Sequence, residues 1–242
     1  MANAGDAEAR NQAQGPGLKT VVGASAAGTA FEWYDFFIFG SLAAVIARHF
    51  YAEVGEATAY ILALLTFGVG FVVRPLGALV FGWFGDQVGR KTTFLVTITL
   101  MGVATVAIGL LPDYSQAGIL APILLISMRI LQGFALGGEY GGAAIFVAEH
   151  APNARRGFLT GWIQSTAAMG LIGALVVIIT TRMILGAEAF DAWGWRIPFL
   201  LSAFLLVISL WIRLKLHESP AFQRMAAECT EKRAPLRESF LT

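Results

Sequence analysis

The chain alternates long apolar stretches with short polar breaks. The apolar stretches fall at about 21–47, 58–84, 92–111, 118–149, 157–183 and 194–216. A helix needs ~20 apolar residues to cross a bilayer, so each stretch is long enough. Open strands cannot satisfy their backbone in lipid, so all six are predicted to be helices. Turn residues and charges mark the breaks at 49–56, 85–91, 112–116, 150–156 and 186–191. The predicted division is a polar N-terminus over 1–17, a six-helix transmembrane bundle over 18–216 and a charged segment over 217–242. The expected class is therefore all-α and polytopic.

Composition narrows the class further. Of the 242 residues, 57% are apolar and 14% charged, with a mean hydropathy of +0.67. A soluble domain is about 25% charged, so this chain lacks the polar surface to cover such a core. A disordered chain would be charge-rich and apolar-poor. A net charge of +1 leaves no basic footprint for nucleic acid. The one cysteine, Cys229, lies in the polar tail, so no internal disulfide is expected. Residues 1–17 have no apolar core, so no cleavable signal peptide is expected.

Orientation follows from Lys and Arg near the span ends. The side carrying both termini holds Arg10, Lys19, Arg90, Lys91, Arg155, Arg156 and six more beyond residue 212, while the other holds Arg48, Arg182 and Arg196. Both termini are therefore expected in the cytoplasm.

Five ionisable residues fall inside the apolar stretches: Glu32, Asp35, Arg74, Arg129 and Glu139. Each costs ~2.5–3.5 kcal/mol at mid-bilayer on insertion scales, so each needs a partner or a polar cavity. Three acids and two arginines suggest pairing by sign. At ~100° per residue, Glu32 and Asp35 share one face of the first helix. Arg129, Gln132 and Glu139 fall within an arc of about 80° on the fourth. Polar faces at similar depth on spans one, two and four imply an internal cavity. A carboxylate held out of water keeps its proton more tightly, and a nearby arginine loosens it. Moving the arginine would load or release a proton, which is a basis for proton coupling by Glu32, Asp35 and Arg129. Structural salt bridges are the plainer alternative.

Two further patterns qualify this. Phe31, Trp33, Tyr34, Phe36, Phe37 and Phe39 surround the acids; most suit packing or lipid contact, but Trp33 and Tyr34 could line a site for an organic solute. Gln164 in the fifth span joins the candidate cavity residues. Gly133, Gly137 and Gly141 recur every four residues, as small residues do where helices touch in lipid.

The polar breaks carry more specific motifs. Gly82-Trp-Phe-Gly85-Asp86-Gln87-Val-Gly89-Arg90-Lys91 resembles the signature of the major facilitator superfamily, with Gln87 where the family usually has arginine. Glu32-Trp-Tyr-Asp35, Arg74-Pro75-Leu-Gly77, Arg129-Ile-Leu-Gln132-Gly133, Trp193-Gly-Trp195-Arg196-Ile-Pro198-Phe199 and Glu218-Ser219-Pro220 resemble the metabolite:proton symporter branch, over about residues 18–225. The resemblance implies the N-terminal six-helix half of a twelve-helix fold, ending in the start of a long central loop. It implies symport of a small polar metabolite, such as an organic acid, amino acid or betaine. The energy source would be a proton gradient with no cofactor, in the inner membrane. Asp35 and Arg129 would couple protonation to substrate. Gly82, Asp86, Gly89, Arg90 and Lys91, with Glu149, Arg155 and Arg156, would form the cytoplasmic gate. A half of this kind needs a second six-helix half or a copy of itself, so a truncated or non-transporting half is the competing reading.

Other classes fit less well. A six-span channel would want a filter loop or a ring of like residues, and none is visible. His49, His150 and His217 have no second metal ligand at a binding spacing, and the His-Glu-x-x-His pattern is absent. Ser25 sits between alanines as a packing residue would. No enzyme activity and no metal are expected.

Overall fold

The structure, a computed structural model, describes residues 18–150 and 156–214. In chain order its helices are α1 (Leu18–Ser41), α2 (Ala43–Phe50), α3 (Glu56–Val88), α4 (Arg90–Leu110), α5 (Tyr114–Ala117), α6 (Leu120–His150), α7 (Arg156–Leu185), α8 (Ala187–Ala189), a π turn (Phe190–Gly194) and α9 (Arg196–Leu214). No strand occurs among the described residues. The tails before residue 18 and after 214, including Cys229 and Glu218-Ser219-Pro220, lie outside them.

Four single helices, α3, α4, α6 and α7, are long and apolar enough to cross a membrane. Two more candidates are bent pairs: α1 with α2 turns by 61°, and the α8–π segment with α9 by 60°. Counted as one span each, they complete the six. Neither bend is visible in the apolar pattern. The first follows Gly40-Ser41, a pair that weakens a helix against kinking. The Phe67 ring lies against Gly40, where a Cβ would be 3.1 Å from it. The second arises where the Trp195 amide reaches back five residues to the Phe190 carbonyl. That extra residue turns both Phe190 and Trp195 into the core.

The closest helix contact is α3 against α6. A Cβ on Gly133 would overlap the Gly70 carbonyl, and one on Gly137 the Arg74 carbonyl. The four-residue spacing therefore brings two backbones into direct contact, the geometry small residues allow in lipid. Gly141 falls among side chains outside the description. Between α3 and α4, Gly89 takes φ +106°, a left-handed value that a side chain would strain.

A polar clasp ties the far end of the bundle. Arg48 pairs with Asp191 at 3.2 Å. His49 Nε2 lies 2.8 Å from the Asp191 carbonyl oxygen, which can only accept, so Nε2 carries a proton. Its Nδ1 lies 3.8 Å from Asp113 Oδ2. The Ser115 hydroxyl, then the Gln116 amide and the His49 and Arg196 charges, hold the Asp113 carboxyl below the usual carboxylate range. Arg196 donates to the carbonyls of Gly109 and Leu111 at 3.0 and 2.6 Å, closing the C-terminus of α4.

Burial is uneven. The apolar windows of α4 and α6 are 56% and 44% buried, against 22% for α3 and 17% for α7. Helices α3 and α7 therefore form the open faces of the bundle.

Overpacking a tight contact costs ~1–3 kcal/mol. Gly133→Ala and Gly137→Ala are each expected to lower the thermal midpoint of the detergent-solubilised chain by several degrees. Gly161→Ala, on α7 with no neighbour within 4 Å of its Cβ, should leave it unchanged. Equal midpoints for all three would show that the α3–α6 contact is looser than described.

Candidate transport site

The site grows from α6. Arg129 is fully buried, and its i+3 neighbour Gln132 lies on the same face. Arg129 Nη1 donates to Gln132 Oε1 at 2.6 Å. Gln132 Nε2 donates to the Thr105 hydroxyl on α4 at 2.7 Å. The Thr105 hydroxyl also lies against the carboxyl of Asp35 on α1. From α9, the Ser202 hydroxyl donates to Asp35 Oδ1 at 2.5 Å. Asp35 is 6% exposed, while Thr105, Gln132 and Ser202 are fully enclosed. Four helices thus contribute to one row of polar groups that runs from a carboxylate to a guanidinium, with the Thr105 hydroxyl also donating to the Met101 carbonyl at 2.9 Å.

Among the described side chains, the arginines are not matched to acids as their signs suggested. The clasp holds the ion pairs Arg48–Asp191 and His49–Asp113, and neither Arg74 nor Arg129 belongs to them. Aromatic rings hold them instead. The Arg129 guanidinium carbon lies 4.3 Å from the Phe39 ring centre, 4.5 Å from Phe36 and 5.0 Å from Phe67. That of Arg74 lies 4.2 Å from Phe71, 4.3 Å from Phe36 and 5.2 Å from Trp33. Phe36 therefore serves both cations. A desolvated cation over a ring contributes ~2 kcal/mol or more, so three rings can offset most of the insertion penalty of one arginine. Donors remain unused: Arg74 Nε and Nη2, Arg129 Nε and Trp33 Nε1 are buried with no hydrogen-bond partner among the described residues.

The other expected site residues are spread more widely. Glu32 is buried and lines a small cavity between α1, α4 and α9, together with Asp35, Met101 and Ser209. Tyr34 is buried too, and its hydroxyl donates to the Pro198 carbonyl at 3.0 Å, tying α1 to α9. Trp33 is half-buried and stacks on Phe37 at 5.3 Å. Gln164 is exposed on α7. The side chains of Glu139, Glu149 and Arg90 lie outside the description, as does Arg155. In the 82–91 motif, Gly82 and Asp86 are half-buried at the end of α3, and Lys91 Nζ donates to the Leu214 carbonyl at 3.0 Å, closing the end of α9. Arg156 is exposed at the start of α7. Thr105 and Ser202 belong to the site without having been expected there. Single hydroxyls on apolar helices carry no distinguishing sequence signal.

This architecture can be set beside known proteins. The family profile described as sugar (and other) transporter matches residues 20–239. The chain belongs to the sugar (and other) transporter family. Its relatives are membrane transporters rather than enzymes. The inner membrane metabolite transport protein YhjE of Escherichia coli K12 is 43% identical over 89% of this chain and 49% of its own length. The shikimate transporter of the same organism is 42% identical over 90% of this chain and 50% of its own. The chain spans about half the length of the curated relatives it matches. A solved structure of the major facilitator superfamily proton:xylose symporter XylE superposes with a TM-score of 0.78 at 17% identity, over 92% of this chain and 50% of that one. At that identity the likeness speaks for the fold, a six-helix half of the twelve-helix facilitator bundle.

Within this transporter fold, Phe36 is expected to matter more than its size predicts. Phe36→Leu removes one ring from each of two guanidinium cages, and should destabilise the chain by about 2 kcal/mol more than Phe199→Leu. Phe199 is equally buried and packs on Trp195. Thermal unfolding of both variants in detergent checks this; equal losses would assign Phe36 to ordinary packing.

Proposed function

We propose that this chain forms one six-helix half of a proton-coupled symporter for a small polar metabolite, such as an organic acid, an amino acid or a betaine. The observation that carries this is Asp35, a buried carboxylate joined through Thr105 and Gln132 to Arg129. Thr105 has one hydroxyl proton and two acceptors within reach, the Met101 carbonyl at 2.9 Å and the Asp35 carboxylate. Which one it chooses depends on whether Asp35 carries a proton. That choice turns the Thr105 lone pairs, which hold Gln132, and Gln132 holds the guanidinium. Protonation is thereby transmitted to a cation without passing through an ion pair.

The substrate side follows from the unused donors. Arg74 and Trp33 offer N–H groups and no acceptor, which suits a ligand carboxylate through charge-assisted bonds. The shikimate transporter among the relatives handles a ligand of that kind, as its name states. The proton gradient supplies the energy and no cofactor is needed. Asp86, Arg90 and Lys91, with Glu149, Arg155 and Arg156, act as the cytoplasmic latch. Residues 1–17 and 217–242 flank the bundle in the cytoplasm, and the protein resides in the inner membrane with both termini inside. The open faces of α3 and α7 take the second half, from another six-helix unit or a copy of this chain.

Uptake by the purified chain is expected to be weak in proteoliposomes and to rise when a C-terminal half of a facilitator relative is co-reconstituted. In that paired form, Asp35→Asn should abolish proton-driven uptake of labelled shikimate or proline while leaving counterflow partly intact. Arg74→Ala should weaken carboxylate substrates by about tenfold or more. Driven uptake by Asp35→Asn with an unchanged pH dependence would remove Asp35 from the mechanism.

A further inference from the structure

We propose that Ser202 is the positioning residue of the proton site: its hydroxyl, donated from α9 to α1, sets the pH at which Asp35 releases its proton. This rests on the reading of Asp35 given above and assigns a role to a residue on a different helix.

The hydrogen-bond arrangement around Ser202 is specific. A serine in a helix ordinarily donates to the carbonyl four residues back, as Ser127 does to Ile123 on α6. For Ser202 that carbonyl belongs to Pro198, and it already accepts the Tyr34 hydroxyl. The Ser202 hydroxyl turns instead to Asp35 Oδ1, at 2.5 Å, a length typical of a hydroxyl bound to a charged carboxylate. Adjacent residues on α1, Tyr34 and Asp35, thus exchange bonds with residues one turn apart on α9. The exchange fixes both the rotation of α9 and the direction of its hydroxyl. The small cavity beside Asp35 continues this face: it reaches Ser209, two turns along α9, whose buried hydroxyl has no partner among the described residues.

The electrostatic surroundings leave Ser202 a clear role. Glu32 and Tyr34 on α1 are the titratable neighbours of Asp35. Arg129 on α6 acts on it through Gln132 and Thr105. Helices α4 and α9 face it with hydroxyls, and the charges on described residues of α7 are at its ends, Arg156 and Arg182. A donor to the ionised carboxylate favours the ionised form. Removing it makes the carboxyl hold its proton to higher pH. Because the bond spans α1 and α9, any step of a transport cycle that separates these helices has the same effect, so proton affinity follows helix position.

The test uses the whole chain in lipid nanodiscs and needs no transport. Infrared titration follows the C=O stretch of protonated carboxyls. The Asp35 band is the one lost in Asp35→Asn, and Glu32→Gln identifies the Glu32 band. Ser202→Ala is expected to raise the Asp35 midpoint by about one pH unit, tenfold tighter proton binding, and to move the band to higher wavenumber. Ser202→Thr should restore both. Ser202→Cys, a weaker donor of similar size, should fall between, and provides the test if the alanine variant fails to fold. An Asp35 midpoint unmoved by the alanine and cysteine variants overturns the role of Ser202 alone. If Asp35→Asn removes no titrating band, Asp35 carries no proton and both readings fall.

Discussion

Phe36 packs between two guanidinium groups, and much of the bundle is arranged so that it can. Its ring lies 4.3 Å from the Arg74 guanidinium carbon and 4.5 Å from that of Arg129. Two arginines at mid-depth carry insertion penalties of ~2.5–3.5 kcal/mol each. For a ring on α1 to offset part of both, α3 and α6 must bring their arginines to the same place. The glycines make that possible. Gly70, Gly133 and Gly137 let the two backbones touch. A Cβ at Gly70 would also press on Phe36 at 3.1 Å and on Arg129 Nη2 at 3.4 Å. The small residues and the caged cations are thus one structural feature: the close crossing creates the cage, and the cage needs the close crossing.

The acids lie on another side of the same helix. Asp35 and Phe36 are neighbours in sequence and ~100° apart around α1. Phe36 points to the arginines, while Asp35 points to α4 and α9. Helix α1 therefore separates the cations from the carboxylate, and the connection runs through Thr105 and Gln132. This has an energetic consequence. A buried acid in a direct ion pair would strand its partner each time it took a proton, at ~3–5 kcal/mol. An acid hydrogen-bonded to hydroxyls changes state by rearranging those bonds, each of modest net worth. Separation therefore lets a carboxyl at this position change its protonation at a lower cost than pairing would.

The gross architecture was readable from the sequence because lipid imposes it. An apolar run of sufficient length has few alternatives to a spanning helix, and six runs made six candidates. The two bends escaped because a kink at Gly40-Ser41 or a one-residue π insertion leaves hydropathy unchanged. Arg129 and Gln132 were legible as neighbours because i+3 spacing places them together on any helix. The partners of the charges were not. Opposite signs suggested carboxylates, but in a run as rich in phenylalanine as this one, rings can do the work of counter-ions. Thr105 and Ser202 were invisible for a different reason. Thr93 and Thr97, on the same helix as Thr105, bond back to carbonyls of their own turns. Only the three-dimensional neighbours distinguish Thr105 from them.

The exposure of α3 bears on what the bundle needs around it. Arg74 lies on this helix, only partly buried, with Nε and Nη2 unsatisfied inside the described chain. Acyl chains cannot accept a hydrogen bond, and an unsatisfied polar group in hydrocarbon costs several kcal/mol. Those two nitrogens are themselves enclosed, so what they lack is an acceptor inside the bundle, beneath the apolar face that Val72 and Leu76 present. That position calls for water or a ligand with acceptor atoms. Asp35, by contrast, is enclosed between α1, α4 and α9 and draws its hydrogen bonds from within the bundle. The two functions ascribed to the site thus differ in what they require. The hydrogen bonds of Asp35 are complete within this half, whereas the enclosed nitrogens of Arg74 still lack an acceptor.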